Sequence, residues 1–319
     1  MVKTSPKNVK GIYAALASAF FLGMTPVFGK QAITLGMPPI GVVALRTILA
    51  TALLLFGVLI FKRQYLYIYP AGLLGCLLAG GINGIGSLLF YGALGRIGAG
   101  LGQIIYSIYP LFVVMWLWLD HQPPSRLTLL RLILIIPALY LLIQTAPGSI
   151  DYLGVGMMLG AALLYALHLP INQRVLYDMP APTVTLYTLL SMSGVVILTY
   201  MISRSPYPPG SIDKAWLPVL GLTLMTFLAR LTLFLGVKHI GGSQTALLGL
   251  GELIITLVFS FLWLGERLSP YQWGGAFILV LSLALVGLEK SPTLKRGKEG
   301  WLSWVRPPGL PRDLPWPQD

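Results

Sequence analysis

The chain has 319 residues, of which 56% are hydrophobic and 10% charged, and a mean hydropathy of +0.79. Soluble domains carry roughly 25% charged residues, so water is excluded as its main solvent, and with it a soluble enzyme or binding module. The formal charge of +12 would suggest nucleic acid in a soluble protein, but most of it sits in the linkers between apolar runs, which makes the membrane surface the expected partner.

Apolar runs near 20 residues recur along the chain, and at 1.5 Å rise per residue each crosses a hydrocarbon core of roughly 30 Å. They predict an all-α membrane protein with ten transmembrane helices. After a short N-terminus, residues 1–10, the first span covers 11–29. It follows Lys3, Lys7 and Lys10 as a signal peptide would, but lacks a small-x-small cleavage site and is expected to be retained. The second span, 39–61, carries Arg46 seven residues from its start, where a guanidinium can snorkel to the headgroups in a structural role. The third, 68–94, contains Gly80-Gly81-Ile82-Asn83-Gly84-Ile85-Gly86, with Asn83 expected to face protein or a cavity rather than lipid, and ends near Tyr91. It also holds Cys76, the lone cysteine, so no internal disulfide is possible.

The fourth span, 99–119, follows the small-residue stretch Gly98-Ala99-Gly100-Leu101-Gly102 and carries Tyr106, Tyr109 and Trp116. Small residues at such spacing permit close helix approach and weaken a helix that must bend. The fifth, 126–145, has Arg131 a turn and a half from its start, where it snorkels readily. The sixth, 153–171, places His168 between Tyr165 and Pro170. The seventh, eighth, ninth and tenth cover 182–202, 215–237, 243–265 and 270–288, with Arg230 in the eighth and Glu252 in the ninth. Beyond Glu289 the composition turns basic, tryptophan-containing and proline-rich, which predicts a flexible cytoplasmic tail over 290–319 that grazes anionic headgroups.

Alternating the linkers between sides, with the N-terminus cytoplasmic, puts fourteen Lys and Arg on that side, among them Lys62, Arg174, Lys238 and Lys298. The other side receives five: Lys30, Arg96, Arg204, Lys214 and Arg267. The bias predicts a multi-pass protein of the cell membrane with both termini cytoplasmic. Sliding the chain along itself by 143 residues brings Gly11 onto Gly154, Ala19 onto Ala162, Pro39 onto Pro182, Ile97 onto Ile240 and Gly98 onto Gly241. Two five-helix halves follow, 11–145 and 153–289, and an odd number of spans in each makes the second enter from the opposite side. Inverted repeats of this kind build many secondary transporters, with solute sites near the midplane between the halves.

The residues Gly23-Met24-Thr25-Pro26-Val27-Phe28-Gly29-Lys30, Arg46, Ile240-Gly241-Gly242-Ser243, Gly249-Leu250-Gly251-Glu252 and Trp263-Leu264-Gly265-Glu266-Arg267-Leu268-Ser269 resemble the EamA type of the drug/metabolite transporter superfamily over 11–289. The resemblance implies ten helices, a central cavity lined by both halves, and export or uptake of metabolites such as amino acids or of drug-like compounds, with export expected here. Two departures stand out. Leu253 follows Glu252 where the family often has proline, which puts the expected helix break in doubt, and Asp120-His121-Gln122-Pro123-Pro124 replaces a Gly-Glu pair at the end of the fourth span.

Ionisable residues deep in a bilayer cost roughly 2.5 to 3.5 kcal/mol each on insertion scales, so each needs a compensating reason. Glu252 is the acid well inside a span, about 13 Å from the cytoplasmic end, and is a candidate to carry protons, to bind a cationic solute, or to act as a structural hydrogen-bond acceptor. Arg230 lies about 10 Å from the same end on the preceding span, so the two are expected to pair, either as a switch that hands Arg230 to an anionic group of the solute or as a fixed structural bridge. Tyr91, Tyr106, Tyr109, Tyr165, His168 and Asn83 complete the candidate solute site, with packing as the bland reading for the aromatics and a structural hydrogen bond for the histidine.

His121, His168 and His239 with one distant cysteine make no metal-ligand spacing. No phosphate loop or catalytic triad spacing is present, so no cofactor and no enzymatic activity are expected, and ATP is not the expected energy source. The first expectation is a secondary transporter working by alternating access, with protons as a candidate coupling ion. A membrane enzyme acting on a lipid-linked substrate, and a non-transporting scaffold or channel, are the alternatives, though the acids and histidines that the enzyme would cluster at one interface are missing. The topology is checked by cysteine labelling on a Cys76→Ala background. Lys62→Cys and Lys298→Cys should label from the cytoplasmic side and Arg204→Cys from the other; cytoplasmic labelling of position 204 overturns the orientation and the inverted repeat with it.

Overall fold

A computed structural model describes residues 6–120, 125–143, 151–203, 207–265, 270–284 and 301. Lys3, residues 121–124, Arg204, Glu266 to Ser269 and the tail apart from Trp301 fall outside the described residues, as do the side chains of Lys7, Arg131 and Ser243. Every described element is helical: α1 (Pro6–Thr34), α2 (Pro39–Phe61), α3 (Pro70–Leu94), α4 (Ala99–Tyr106), α5 (Tyr109–Leu119), α6 (Arg126–Ile143), α7 (Tyr152–Leu176), α8 (Ala181–Ser203), α9 (Ser211–Gly249), α10 (Gly251–Leu264) and α11 (Pro270–Ala284), with a 3-10 turn at Arg63–Leu66. Prolines at the first turns of α2 and α3 start helices where their missing N–H costs nothing.

Among the described residues eight helical segments are long and apolar enough to cross a membrane: Val9–Thr34, Pro39–Phe61, Pro70–Leu94, Ala99–Leu119, Tyr152–Leu176, Ala181–Ser203, Ser211–Gly242 and Gln244–Leu264. The chain is therefore a multi-pass membrane protein. The stretches expected for the fifth and tenth spans are α6 and α11, which pack against one another but are not among the eight; α6 opens on Arg126 and only 15 residues of α11 are described. The burial pattern suits a lipid solvent. Phe56, Phe61, Leu198 and Met201 are exposed, whereas Arg46, Thr47, Thr51 and Ser193 of the same helices α2 and α8 are buried, and the Thr51 and Ser193 hydroxyls share a 2.8 Å hydrogen bond between those helices.

Contacts between the halves come in exchangeable pairs. α1 lies along α9 as α7 lies along α3, and α2 packs on α8. A methyl group on Gly11 would fall 2.7 Å from both His239 Cβ and Ile240 Cγ2, and one on Gly154 would fall 3.2 Å from Arg96 Cβ and 3.0 Å from Ile97 Cγ2. Each of these close approaches maps onto the other under the 143-residue shift; a side chain at position 11 would force the facing helix end to move, and one at position 154 would need it to give by a few tenths of an ångström. Lys30 Nζ donates to Leu94 O and Ile97 O at 2.7 and 3.0 Å, fastening the C-terminal end of α1 to that of α3.

Two spans expected to be continuous are interrupted. The fourth is divided between α4 and α5 at Ser107-Ile108, and α9 passes to α10 at Leu250. At both places i to i−3 bonds tighten the chain: Ile108 N to Ile105 O and Leu111 N to Ile108 O, and likewise Leu250 N to Leu247 O and Leu253 N to Leu250 O. The doubt that Leu253 in place of proline casts on the expected break is resolved in favour of an interruption, which falls at Leu250 between Gly249 and Gly251. An earlier turn in α9 falls at Gly241, whose φ of 81° suits glycine; the following Gly242 N–H donates to Gln173 Oε1 at 2.7 Å.

Arg174, counted among the cytoplasmic charges, is instead buried beside Asp120, with Nη2 and Nε donating to Asp120 Oδ2 at 2.5 and 3.1 Å. Asp120 thus engages an arginine of the other half at the place where the family's Gly-Glu pair is missing. Breaking a buried pair leaves an uncompensated charge and costs about 3 to 5 kcal/mol, whereas an apolar replacement of both partners is often neutral. Asp120→Asn should accordingly lower the melting temperature in detergent strongly, and Asp120→Leu combined with Arg174→Met should recover most of the loss; a single substitution without effect would refute the pair's structural role.

At the start of α7, Asp151 caps the helix by accepting from Gly154 N at 2.9 Å and pairs with Arg96 Nη1 at 2.9 Å. The Gly154 N–H first and the Arg96 guanidinium second hold this exposed carboxylate below its usual range. A depressed carboxylate stabilises the fold above its unfolded value near pH 3.9 and loses that contribution as pH falls through the folded value. Melting followed from pH 6 down to pH 2 should show a smaller acid-induced loss in Asp151→Asn, which keeps a cap and removes the charge; an unchanged loss would assign the acid sensitivity elsewhere.

Candidate functional site

The helices form a cavity of about 40 Å³ lined by Leu22, Thr25, Arg46, Asn83, Gly86, Ser87, Phe90, Tyr91, Gln103, Tyr106, Ala161, Tyr165, Thr226, Arg230 and Glu252. These come from α1, α2, α3 and α4 of the first half and α7, α9 and α10 of the second, and most lie near the middle of their helices. A buried water needs about 10 to 15 Å³ measured in this way, so the space suits a few waters or one small functional group.

Arg46 is 5% exposed. Its Nη1 donates to Thr226 Oγ1 and its Nη2 to Ser87 Oγ, both at 3.1 Å, and its guanidinium lies 4.6 Å from the Tyr91 ring centre. The snorkelling expectation is therefore corrected: hydroxyls on two neighbouring helices and an aromatic face draw the side chain inward. Arg230 is also 5% exposed. Its Nη1 donates to His168 Nε2 at 3.3 Å, its Nη1 and Nη2 reach the Asn83 amide oxygen at 3.3 and 2.8 Å when that amide is turned toward them, and its guanidinium lies 5.9 Å from the Tyr165 ring centre. His168 Nδ1 donates to Tyr165 O, which leaves Nε2 free to accept from the arginine.

Glu252, in the first turn of α10, is 2% exposed, and its Oε1 has no hydrogen-bond partner. Beside it stands Tyr109, whose hydroxyl donates to Ala246 O at 3.1 Å and passes directly over Gly249. The Arg230 to Glu252 pair expected from their depths does not form: both line the cavity, but among the described residues no ion pair joins them. The aromatic rings pack in a layer, with Tyr106 4.9 Å from Phe90, 5.5 Å from Tyr109 and 5.3 Å from Tyr165.

Of the candidate residues, Glu252, Arg230, Tyr91, Tyr106, Tyr165 and Asn83 line the cavity. His168 and Tyr109 do not; they stand behind it, supporting Arg230 and flanking Glu252. Sequence reasoning missed Arg46, Gln103, Ser87, Thr226 and Thr25 as lining residues. The repeat register held the signal, because Asn83 and Thr226, Ser87 and Arg230, and Leu22 and Tyr165 stand 143 residues apart and all six line the cavity. Among the described residues no three His, Cys, Asp or Glu side chains converge as a metal site would require.

The comparisons with known proteins agree with this architecture. An uncharacterized transporter, sll1319, of Synechocystis sp. (strain ATCC 27184 / PCC 6803 / Kazusa) is 26% identical over 212 residues, 64% of this chain and 63% of the relative, so the match spans a little under two thirds of that protein. A crystal structure of a protein 16% identical superposes with a TM-score of 0.66, covering 88% of this chain and 97% of the other, and so shares the fold. Residues 9–144 and 152–288 each match the EamA-like transporter family, and the chain belongs to that family of membrane transporters.

Proposed function

We propose that the protein is a secondary transporter of the cell membrane that carries a small organic solute through the central cavity by alternating access. The observation that carries this reading is a charged, polar cavity buried near mid-height and lined by both halves of the chain. A channel would need a continuous wet path, whereas space for only a few waters demands that helices part before a solute enters. The helix interruptions at 107–108 and at 250 adjoin the cavity residues Tyr106 and Glu252, where discontinuous spans serve both binding and motion in such transporters.

The reading includes ten spans arranged as an inverted pair, residues 11–145 and 153–289. The exchangeable contacts of Gly11 with Ile240 and of Gly154 with Ile97 support it. Lys30 ties the end of α1 to the end of α3, where the start of α7 also lies, while the start of α1 meets α9 just before its turn at Gly241, as expected if α1 and α7 enter from opposite sides. Charge asymmetry supports cytoplasmic termini; with Arg174 withdrawn from the count, the linkers still carry a clear excess of Lys and Arg on that side.

Glu252 is the proposed coupling group. A carboxyl at the cavity wall with one oxygen unpartnered can exchange a proton with whichever side the cavity faces, and its position at a helix interruption links that exchange to motion. Glu252→Gln keeps the shape and removes the titration. The variant should fold with a melting temperature near that of the parent, and its solute flux in proteoliposomes should no longer respond to an imposed pH gradient. Gradient-driven flux that survives unchanged would leave Glu252 a structural role only.

A further inference from the structure

The charges around the cavity do not balance. Two guanidiniums, Arg46 and Arg230, face one carboxyl, Glu252, so the lining is net positive whichever protonation state Glu252 takes. Each arginine is 5% exposed, and each guanidinium is held by neutral groups: hydroxyls of Ser87 and Thr226 for one, the Asn83 amide and the His168 imidazole for the other. Such partners satisfy N–H donors without supplying charge. Arg46 Nε is buried with no partner at all. Among the described residues, neither guanidinium is joined to an acid as Arg96 is to Asp151 or Arg174 to Asp120.

We propose that the cavity selects solutes bearing a carboxylate or comparable oxyanion, whose oxygens bind between Arg46 and Arg230. The proposal rests on the transport reading above and names the class of solute for the same site. Burying a cation is tolerated where an opposite charge compensates it, and here the solute brings that charge. Arginine suits the task because its planar fork offers paired donors matched to an oxyanion, and the unpartnered Arg46 Nε is one such donor already turned from water. The same excess charge works against cationic solutes, which would meet two guanidiniums in a confined, poorly screened space. Drug-like amines are therefore expected to be rejected, while small organic acids and amino acids, through their carboxylate, are accepted.

The experiment is thermal unfolding of the full-length protein in detergent with matched probes at constant ionic strength: sodium acetate against acetamide, disodium succinate against succinamide, and tetramethylammonium chloride. At least one carboxylate should raise the melting temperature in a saturable way while its amide and the ammonium salt do not, because a ligand that binds only the folded state stabilises it. Arg46→Gln and Arg230→Gln should each weaken that response at least tenfold, with Arg46→Lys and Arg230→Lys restoring part of it. Equal stabilisation by amide and carboxylate, stabilisation by the ammonium salt, no response to either carboxylate, or a full response in the glutamine variants would each overturn the proposal. Should the glutamine variants fail to fold, the carboxylate and amide comparison on the parent protein decides alone. Flux in proteoliposomes separates the two readings: carriage of a neutral or cationic solute sinks the anion proposal and leaves transport standing, whereas carboxylate binding without flux of any solute sinks the transport reading.

Discussion

The structure is organised around the cost of holding two guanidiniums away from water in a protein whose outer solvent is lipid. A polar group inside such a protein must find its partners on neighbouring helices. Arg46 on α2 reaches Ser87 on α3 and Thr226 on α9, and Arg230 on α9 reaches Asn83 on α3 and His168 on α7. Four helices from both halves are tied to one another by these bonds. The apolar exteriors of the same helices face outward, so the ordinary inside-out rule of soluble proteins is reversed along α2 and α8.

A scaffold built of two similar halves presents similar positions on both sides of its centre, and the chemistry at those positions differs. Asn83 and Ser87 on α3 correspond to Thr226 and Arg230 on α9. Both helices serve the arginines: α3 holds Arg230 through Asn83 and Arg46 through Ser87, and α9 carries Arg230 and holds Arg46 through Thr226. The helix interruptions repeat the theme. Tyr109 and Glu252 occupy equivalent places just after a break, one reached through Ser107-Ile108 and reinforced by Pro110, the other reached through Leu250 between two glycines. The backbone geometry is shared, while a phenol stands on one side and a carboxyl on the other.

Much of the site was legible from cost alone. Asn83, Arg230 and Glu252 stood out because a polar or charged residue inside an apolar run demands an explanation, and all three line the cavity. Thr226, Ser87 and Thr25 escaped notice, since small hydroxyl residues are cheap enough in a transmembrane helix to be unremarkable, and Gln103 lies in a small-residue stretch read for its packing. The distance of Arg46 from the helix start allows snorkelling, but sequence distance says nothing about which face of α2 it occupies. The Arg230 to Glu252 pairing failed for the same reason: equal depth on consecutive helices leaves the rotation of each helix undetermined.

The sequence by itself determined that the protein is helical, that it lives in a membrane, where most of its spans begin and end, and that it falls into two halves sharing a few landmark residues. Hydrophobic run length and composition govern those properties, and both are local. Only the tertiary structure decided which polar residues meet, that Arg174 is paired with Asp120, that Leu253 does not prevent a break before Glu252, and that two arginines share one cavity with a single acid. Those outcomes depend on how each helix is rotated about its axis and which neighbour supplies the hydrogen bond, and a guanidinium goes where its partners are.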